Sequence, residues 1–324
     1  MSISVRPYSQ NDADTWDEFC NNSLQATLLH TRRFLSYHGD RFADRSLIIE
    51  EDSKWVGLFP AALSPSDSTL VVSHPGITYG GVIHQGGLRG ERMIEALLAI
   101  ALHYATTCST RLLYKATPTF YHQALAQDDL YALFRLGAKR FRCDLSSTID
   151  LQYRLPVSER RRRSFKKAIK NGIGIVEGKQ YLSALWGVLF ENLERKHGLS
   201  PVHKLDEIQL LADRFPENIR CVCGVVNNAV VAGTLLFISP TTYHTQYIAS
   251  SEMGYEVSAL DAIFEHCIKT AQLNGKRWFD FGISTEENGS VLNDGLYRFK
   301  SEFGAGGAVH EFFELDLGGE KYAT

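Results

Sequence analysis

The chain has 324 residues, which is enough for two domains of typical size. Its hydrophobic fraction of 44% and its charged fraction of 22% are those of an ordinary soluble globular protein. A net charge of −3 and a pI near 6.4 argue against a general nucleic-acid coat and against a membrane-surface protein. We therefore expect neither nucleic acid nor a membrane as a partner.

The start of the chain shows no basic segment followed by an apolar core, so we expect no signal peptide. The longest helical apolar run, from Met93 to Tyr104, is too short to cross a bilayer and is typical of a core helix. These patterns predict a cytoplasmic protein. Oligomeric state is not readable from them, and either a monomer or a small homo-oligomer fits.

The six cysteines show no paired CxxC spacing. Cys221 and Cys223 alternate on a predicted strand and should share one face, as small buried side chains. A metal pair is the alternative interpretation of these two thiols, although we expect no metal. The cysteine pattern is typical of a reduced, cytoplasmic chain.

The first half of the chain alternates strand and helix patterns in chain order. Thr31 is a capping residue for one helix, and Gly137 ends another. A Gly- and Pro-rich loop runs from His74 to Gly81. The predicted strands are 3–8, 46–50, 55–64, 70–73, 111–115 and 139–150, and the predicted helices are 12–22, 31–38, 91–106 and 129–136.

After Pro156 the pattern restarts. The run 229–239 is almost entirely apolar, which predicts a central buried strand. The other predicted strands are 173–177, 220–226, 241–249, 278–282 and 309–317, and the predicted helices are 158–171, 182–196, 205–214, 257–274 and 293–303. Helices that alternate with strands in two successive halves predict an α/β (α+β) fold of two units.

The most specific motif lies near the C-terminus. The aromatic strand Trp278-Phe-Asp-Phe-Gly is followed by a polar loop and by a helix that Gly304 ends. Asn293 precedes Lys300 by seven residues, and Lys300 precedes Gly304 by four. This spacing resembles the helix after the fifth strand of GNAT acyltransferases, with Phe299-Lys300 standing where Leu-Tyr is common. A Lys at this place resembles the FemAB-like branch of that superfamily.

The resemblance extends over essentially the whole chain. The basic segment that begins at Ser158 and the strand end Gln246-Tyr-Ile-Ala-Ser-Ser also match the branch. It implies two tandem GNAT-like domains, each a mixed, mostly antiparallel sheet flanked by helices. We place the N-terminal, acceptor-facing domain at 1–155, the acyl-CoA-binding catalytic domain at 156–317 and a loose tail at 318–324.

The segments Phe34-Leu-Ser-Tyr-His-Gly-Asp-Arg-Phe and Tyr79-Gly-Gly resemble a subgroup of surface-polysaccharide enzymes. That subgroup forms amides on nucleotide-linked 3-amino-3,6-dideoxyhexoses, with acyl-CoA as co-substrate. The resemblance puts the acceptor against a wall between the domains, and inter-domain clefts favour ligands. The residues expected on the first-half side of that wall are Tyr37, His38, Arg41, His74 and Tyr79.

One stretch departs from the GNAT pattern. The diphosphate loop is normally Gln/Arg-x-x-Gly-x-Gly/Ala, and here it is Ser251-Glu-Met-Gly-Tyr-Glu256, in which only Gly254 matches. Free N–H groups at a helix N-terminus still attract a diphosphate, although Glu252 and Glu256 would repel it. The residues expected to contact the acyl-CoA are Ser250, Ser251, Gly254, Tyr255, Ser258 and Asn293.

Three residues are candidates for the chemistry. Lys300 flanks the inward stripe of its helix, and a fixed ammonium stabilises the charge that forms when an amine attacks a thioester. His244, in a strand, is either a core histidine or the base that takes the amine proton. Asp280 lies within an aromatic strand and needs a partner. We expect that partner to be Lys300 or Arg298, with orientation of Lys300 as its role.

Further acceptor contacts are expected around these residues. Ser284 and Glu286 follow the strand end, where α/β sites gather, or else belong to a solvated loop. Arg162 belongs to a run with seven basic residues in the eleven from Arg160 to Lys170. We expect Arg161 and Arg162 on the buried side with Phe165, Ala168 and Ile169, and Arg162 touching a diphosphate. A solvated face and a tRNA patch are the rival interpretations, and Tyr247 completes the expected acceptor set.

The sequence hypothesis is thus an N-acyltransferase that acts by direct amine attack. It moves a short acyl group, acetyl or 3-hydroxybutanoyl, from acyl-CoA to a nucleotide-linked amino sugar, with dTDP favoured, for O-antigen or capsule synthesis. One alternative is an aminoacyl-tRNA-dependent peptidyltransferase of peptidoglycan cross-bridges, although no helical tRNA-binding arm is visible in the second half. A catalytically inactive GNAT-like binding scaffold is the third possibility.

Overall fold

The computed structural model describes residues 3–107, 109–197 and 201–318, without the side chains of 193–197. Residues 319–324 of the expected tail lie outside this description. The chain forms two compact units. Unit 1 comprises Met1–Asp144, Glu287–Val291 and Val309–Thr324, and unit 2 comprises Leu145–Glu286 and Leu292–Ala308. This division falls before the expected boundary at 155, and it assigns the C-terminal strand from Val309 onward to unit 1.

Unit 1 contains two sheets. A four-stranded sheet has the order β1-β2-β3-β6 and is antiparallel throughout. In the second sheet β4 pairs with β5, β5 runs parallel to β7, and β7 pairs with β16. The elements are β1 Ile3–Pro7, α1 Ala13–Asn21, α2 Arg32–Leu35, β2 Leu47–Glu51, β3 Lys54–Phe59, β4 Ala62–Ser64, β5 Asp67–Val72, β6 Ile83–His84, α3 Glu91–Thr106, β7 Arg111–Lys115, α4 Asp128–Leu136 and β16 Gly306–Asp316.

The core of unit 1 lies between its sheets and α3. Met93, Leu97, Ile100 and Tyr104 recur at helical spacing on α3 and are fully buried or nearly so. This is the apolar stripe expected of a helix that packs on a sheet. Gly137 adopts φ 82° at the end of α4, the left-handed conformation that glycine takes without strain. The predicted helix bounds of 91–106 are confirmed.

Unit 2 is built on one sheet with the order β8-β13-β12-β11-β10-β9, in which only β12 and β13 are parallel. β11 lies inside the sheet, as its apolar run predicted. The elements are β8 Lys139–Asp150, α5 Glu159–Lys170, β9 Gly174–Glu177, α6 Leu182–His197, α7 Leu205–Arg214, β10 Ile219–Val226, β11 Ala229–Ile238, β12 Thr242–Ser250, α8 Glu252–Glu256, α9 Ala259–Leu273, β13 Trp278–Ile283, β14 Thr285–Glu286, β15 Val291–Leu292 and α10 Asp294–Ser301.

Aromatic side chains join α9 and α10 to this sheet. Phe264 of α9 packs edge-to-face on Phe281 of β13 and on Phe303, with ring centroids 5.1 and 5.3 Å away. All three rings are buried. Such pairs contribute roughly 0.5–1.5 kcal/mol each beyond the burial of their area. The cluster fixes α10 against the end of β13, where the candidate chemistry lies.

Three predictions from the sequence need correction. The single strand predicted at 55–64 is two strands, because Pro60 follows Phe59 and the chain passes from one sheet to the other. The helix predicted at 257–274 begins only at Ala259, since Ser258 has φ 60° and separates α8 from α9. Ile169, expected on the buried side of the basic helix, is 59% exposed.

The thiols of Cys221 and Cys223 lie 3.6 Å apart and are buried on one face of β10, as predicted. Among the described residues there is no group of three or more His, Cys, Asp or Glu side chains that could hold a metal ion. None of the helices in the described ranges is long and apolar enough to span a membrane.

Candidate active site

The candidate site of unit 2 begins where β12 and β13 separate. Thr242, Tyr243 and His244 pair with Trp278, Phe279 and Asp280 in parallel register. Beyond this, β12 continues along β11 while β13 continues along β8. The residues that follow the last parallel pair are therefore outside the β12–β13 ladder. Crevices beyond the carboxyl ends of diverging strands are the usual ligand sites of α/β sheets.

A β-bulge lies just beyond the separation. Leu235 of β11 pairs with Tyr247 and Leu236 pairs with Thr245, so Gln246 has no register partner on β11. A bulge turns the backbone out of its ladder, and bulges recur beside active sites. The backbone at Gln246 therefore lies outside the β11–β12 ladder. The sequence showed no signal for this feature.

The last parallel register pair, His244 and Asp280, is also a side-chain pair. Nδ1 of His244 lies 2.7 Å from Oδ2 of Asp280, which is completely buried. Oδ1 of Asp280 accepts hydrogen bonds from the hydroxyls of Ser146 at 2.5 Å and Thr148 at 2.8 Å. A buried carboxylate is stable only with such partners. The carboxylate therefore holds a proton on Nδ1 of His244 and leaves Nε2 as the basic nitrogen.

Lys300 approaches the same end of β13 from α10. Lys300 is 5% exposed, and its ammonium donates hydrogen bonds to the carbonyls of Gly282 at 3.0 Å and Ile283 at 2.6 Å. An ammonium has one donor more than these two carbonyls use. Burial lowers the pKa of Lys300 to about 8, and the nearby charge of Asp280 opposes part of that shift. The group is therefore a buried cation that releases its proton near physiological pH.

The expected partnership of Asp280 with Lys300 or Arg298 is wrong. Arg298 donates to Glu302 at 3.2 Å, and Lys300 bonds to the two backbone carbonyls. Asp280 instead holds His244, so its positioning role belongs to the histidine. The backbone carbonyls suit Lys300 because they satisfy the ammonium without neutralising it with a second charge.

Gly282 makes this arrangement possible. Its φ of +75° lies in the left-handed region, and the β13–β8 register shifts between Asp280 and Ile283. A Cβ at this position would lie 3.3 Å from Cε1 of His244. Only glycine adopts this backbone conformation at little cost, and it is here that the chain presents two successive carbonyls to Lys300.

The start of α10 gathers three predicted site residues. Asn293 caps the helix by accepting the Leu296 N–H at 3.0 Å, and its own side-chain amide donates to Glu286 at 2.7 Å. Its backbone N–H donates to the carbonyl of Ser284. The hydroxyl of Ser284 is buried and has no hydrogen-bond partner among the described residues. Asn293, Ser284 and Glu286 therefore form one polar group.

The end of β12 carries the residues expected to contact the acyl donor. Ser250 is buried, and Ser251 caps α8 by accepting the Gly254 N–H at 3.1 Å. A Cβ at Gly254 would overlap the carbonyl oxygen of Val231, so only glycine fits there. A cavity of about 390 Å³ adjoins this segment. Its lining residues are Val188, Glu191, Asn192, Ser250, Ser251, Glu252 and Met253.

The start of α9 is acidic. Tyr255 is half-exposed, and Ser258 precedes the helix without capping it through its side chain. Asp261 in the first turn is buried and pairs with Arg161 of α5 at 3.0 Å. Burial raises the pKa of Asp261 to about 6. This helix start therefore has a carboxylate of its own beside the N–H groups that attract anions.

Two predicted acceptor residues of unit 2 lie apart from the cluster of His244 and Lys300. Tyr247 is 2.5 Å from Nδ1 of His203 and packs edge-to-face on Trp186. Burial raises the pKa of Tyr247 to about 12, so its hydroxyl stays protonated. Arg162 was expected on the buried side of α5, but its side chain is 56% exposed and pairs with Glu159. Arg161, which was expected there as well, is nearly buried.

In unit 1, four of the five predicted acceptor residues form one cluster. The rings of Tyr37 and His38 lie 4.0 Å apart, and the rings of His38 and His74 lie 5.2 Å apart. Arg41 donates to the carbonyl of His38. Burial lowers the pKa of His74 to about 2, which keeps that ring neutral. The cluster borders a cavity of about 140 Å³ within unit 1.

Tyr79 is separate from that cluster. It is buried against Tyr121, with ring centroids 4.4 Å apart, and its hydroxyl donates to Thr27. These contacts give it a packing role.

Sequence reasoning missed Ser146 and Thr148 of unit 2, which hold Asp280. Hydroxyls two residues apart on a predicted strand must share one face, and this was a usable signal.

The comparisons agree with this geometry. Residues 157–301 match the family model described as an acetyltransferase (GNAT) domain. Nearly all of unit 2 after β8 lies in that range, so the similarity to a GNAT acetyltransferase domain falls on unit 2. The match includes His244, Asp280 and Lys300. No curated protein is similar enough to the chain to count as a match.

Solved structures are similar over the whole chain. The crystal structure of FemX has a TM-score of 0.66 and 13% identity and covers 97% of each chain. The structure of L-PGS from Bacillus licheniformis has a TM-score of 0.62 and 13% identity, covering 94% of this chain and 91% of that one. A tandem GNAT protein from the clavulanic acid biosynthesis pathway has a TM-score of 0.55 and 11% identity, covering 98% of this chain and all of that one. The predicted fold of two GNAT-like domains is confirmed.

Proposed function

We propose that this protein is an N-acyltransferase that moves a short acyl group from acyl-CoA to a primary amine. The observation that carries the proposal is the hydrogen-bonded pair of His244 and Asp280 beside the buried ammonium of Lys300. A base and a fixed cation at one strand end can take the amine proton and stabilise the oxyanion when a thioester becomes an amide. The acetyltransferase domain match over 157–301 supports the same reaction class.

In the first step the amine nitrogen attacks the thioester carbonyl carbon. A C–N bond forms, the carbonyl π electrons move to oxygen, and negative charge develops there. Lys300, with its remaining N–H, stabilises that charge. Preorganised donors of this kind each contribute about 10²–10³-fold to the rate in other enzymes.

The proton of the attacking amine goes to Nε2 of His244, directly or through one water. Because Asp280 accepts the Nδ1 proton, the ring has the correct tautomer, and the carboxylate stabilises the imidazolium that forms. The carbonyl then re-forms, the C–S bond breaks and its electron pair leaves on sulfur. The thiol has a pKa of ~8.5, so the thiolate leaves readily and takes a proton from His244 or water.

For the substrates we propose a nucleotide-linked 3-amino-3,6-dideoxyhexose, with dTDP favoured, and an acetyl or 3-hydroxybutanoyl thioester. The resemblance of the Phe34 and Tyr79 segments to surface-polysaccharide enzymes supports this choice. The polar group at the start of α10 supports it as well, because the exposed Glu286 carboxylate suits sugar hydroxyls. The product would serve O-antigen or capsule synthesis.

The test is thiol release. Purified protein is mixed with acetyl-CoA or 3-hydroxybutanoyl-CoA and a panel of dTDP- and UDP-linked amino sugars, and free thiol and acylated product are measured. We expect one thiol for each amide, with a preference for a 3-amino sugar. Absence of thiol release across the panel, with no CoA binding by calorimetry, contradicts the proposal.

A second candidate, an aminoacyl-tRNA-dependent transferase, has one observation in its favour. Glu252 and Glu256 in α8 and Asp261 in α9 put carboxylates where a GNAT fold would hold the CoA diphosphate. A donor esterified to RNA would not need that diphosphate site. Binding of aminoacylated tRNA in a filter assay, together with failure to bind CoA, would favour this function over the first.

A further inference from the structure

Two turns of unit 1 share the sequence His-x-Gly. Nδ1 of His74 accepts the N–H of Gly76 at 3.2 Å, and Nδ1 of His84 accepts the N–H of Gly86 at 2.9 Å. A bond from a side chain to the backbone N–H two residues later is the one that Asn or Asp makes in an Asx-turn. In both turns a side chain that titrates near neutral pH therefore stands where Asn or Asp is usual.

A third histidine closes a turn in a similar way. Nδ1 of His30 accepts the N–H of Thr27, three residues earlier, at 3.0 Å. Because a backbone N–H can only donate, Nδ1 of each ring must be the nitrogen without a proton. A protonated ring would bring one N–H against another, and the bond would be lost. His30, His74 and His84 are at most 4% exposed, so water cannot replace that bond while the turns stay closed.

The groups around His74 oppose its protonation. Burial lowers the pKa of His74 to about 2. Three basic groups act on the ring and add to this shift, namely His38, Lys115 and Arg32. The ring centroids of His38 and His74 are 5.2 Å apart, and Asp44, which borders the same cavity, is paired with Arg32. A positive charge on His74 would therefore be repelled by its own neighbours.

His84 and His30 are also kept neutral by burial, which lowers the pKa of each to about 4. His122 acts on both rings and adds to the shift. Arg89 acts on His84 in the same direction, and Asp128 acts in the opposite one. The ordinary pKa of a histidine is about 6.5. The rings thus stay neutral in folded unit 1 over a range of pH in which an unfolded chain binds protons.

Unit 2 differs in the partners of its histidines. Nδ1 of His244 and Nε2 of His266 each lie beside a carboxylate, at 2.7 and 2.6 Å, so a protonated ring would be paired there. Nδ1 of His203 lies 2.5 Å from the hydroxyl of Tyr247. A hydroxyl can rotate and accept a hydrogen bond, which a backbone N–H cannot do. None of these three histidines therefore has to lose a hydrogen bond when it takes up a proton.

We propose that unit 1 contains an acid-sensitive switch. Three turns stay closed only while the rings of His30, His74 and His84 are neutral, and mild acid opens them while unit 2 remains folded. The switch goes beyond the proposed function and does not depend on it. It bears on that function because His74 and Tyr79, two residues expected to face the acceptor, belong to the loop from His74 to Gly81. Acid would thus open part of the acceptor side before it affects the strand end of unit 2.

The direction of the effect follows from the pKa values. Because the folded values lie below the ordinary value, the three histidines cost no stability above about pH 6.5, and the cost grows as the pH falls toward 4. Near pH 5.5 each should weaken the closed form of unit 1 about tenfold, and the three together about a thousandfold. Asp129 offsets part of this below pH 6, since burial raises the pKa of its carboxyl to about 6. The measure is therefore the difference between variants.

The experiment is hydrogen exchange of the full chain between pH 5 and 7.5, measured peptide by peptide with rates corrected for the pH dependence of exchange itself. Peptides of α3 and of the loop from His74 to Gly81 report on unit 1, and peptides of β11 and α9 report on unit 2. The variants are His30→Asn, His74→Asn and His84→Asn, singly and together. The oxygen of Asn can accept the same N–H but does not titrate. The control, His266→Gln, removes a histidine of unit 2.

We expect the opening of unit 1 to become more favourable as the pH falls, with exchange in unit 2 changed at most a few-fold. Between pH 6.5 and 5 the wild type should take up about one proton more per opening than each single variant, and about three more than the triple variant. The cavity left by the smaller Asn side chain weakens unit 1 equally at every pH, so it does not alter this slope. The control should match the wild type, and return to pH 7.5 should restore protection.

Three results would overturn the switch. One is an equal loss of protection in both units, which shows a general effect of acid. Another is the same pH dependence in the wild type and in the single variants, which assigns the protons to other groups. The third is a wild type whose unit 1 loses no protection down to pH 5. If the triple variant does not fold, the single variants still decide. None of these results touches the proposed function, because thiol release is measured at pH 7.5.

Discussion

β5 and β7 of unit 1 form a parallel pair whose other strand neighbours are antiparallel, and so do β12 and β13 of unit 2. In unit 1 the chain itself occupies the end of that pair. Ser73 donates to the carbonyl of Leu113, its hydroxyl accepts the Lys115 N–H, and Gly80 donates to the carbonyl of Lys115. In unit 2 the corresponding end carries His244 with Asp280, the bulge at Gln246 and Lys300.

Each unit also buries a lysine at this place. Lys115 of unit 1 donates to the carbonyl of Ile77, and burial lowers its pKa to about 7. Lys300 of unit 2 donates to two carbonyls, and the carboxylate of Asp280 acts on its charge. The two units also differ in their histidines. Burial lowers the pKa of His74 and keeps its ring neutral, whereas His244 has a carboxylate partner. Similar strand pairs thus give packing in unit 1 and a base with a cation in unit 2.

Replacement of the two lysines gives the largest expected contrast. Lys300→Met removes the cation that stabilises the developing oxyanion, so we expect kcat to fall about 10²–10³-fold. The variant should fold, since it removes a buried charge and keeps the side-chain volume. Lys115→Met removes a buried lysine from unit 1, which supplies no catalytic group in this account. It should therefore leave kcat/KM within about twofold of the wild type. Thiol release and thermal melts measure both, and similar losses in both variants would contradict the contrast.

The histidines give the next contrast. His244→Gln keeps a donor for Asp280 but removes the basic nitrogen, so kcat should fall about 10²-fold or more. His74→Gln, in unit 1, should change kcat less than threefold. Steady-state thiol release with saturating donor is the measurement. If the glutamine at 244 retains wild-type turnover, the base is another group or water.

The pH dependence sharpens the role of Lys300. The ammonium form is the active one, and burial lowers its pKa to about 8, so the active fraction falls as the pH rises through that value. We expect half of the maximal rate near pH 8 and about a tenth of the maximal rate one pH unit higher. The residual activity of Lys300→Met should not show this fall in rate above pH 8. A wild-type rate that stays flat to pH 9.5 would rule out the ammonium as the stabilising group.

The smallest expected effect is at the hydroxyls that hold Asp280. Ser146→Ala removes one of two donors to Oδ1, and Thr148→Val removes the other without changing the shape. Each should lower kcat about three- to tenfold with KM unchanged, and should cost about 1–3 kcal/mol of unfolding free energy. Ser146→Thr should restore most of the activity. An altered KM with unchanged kcat would show that these residues bind substrate instead.

Local patterns predicted most of the elements and part of the site. The bounds of α3, β7 and α7 follow from periodicity and capping, and Lys300 is buried on α10, as its helix phase predicted. His244 and Asp280 were each recognised as candidates from their own strands. Their pairing was not, because the register of two parallel strands depends on contacts far apart in sequence.

The other differences between the predictions and the structure also arise from contacts between residues far apart in the sequence. Ser146 and Asp280 are 134 residues apart, so no local pattern links them. Arg162 and Arg161 differ by one step on α5, a rotation of about 100°, and the pairing of Arg161 with Asp261 decides which of them is buried. The assignment of the last strand to unit 1 depends likewise on its pairing with β7.

The position of the CoA sulfur in a crystal of the wild-type protein tests the central claim most directly. With CoA diffused in, anomalous scattering from sulfur should place the thiol beyond the last β12–β13 pair, within about 5 Å of both Nε2 of His244 and Nζ of Lys300, as a reacting geometry requires. Well-ordered CoA whose sulfur lies elsewhere, or away from both groups, would contradict the assignment of the chemistry to this strand end.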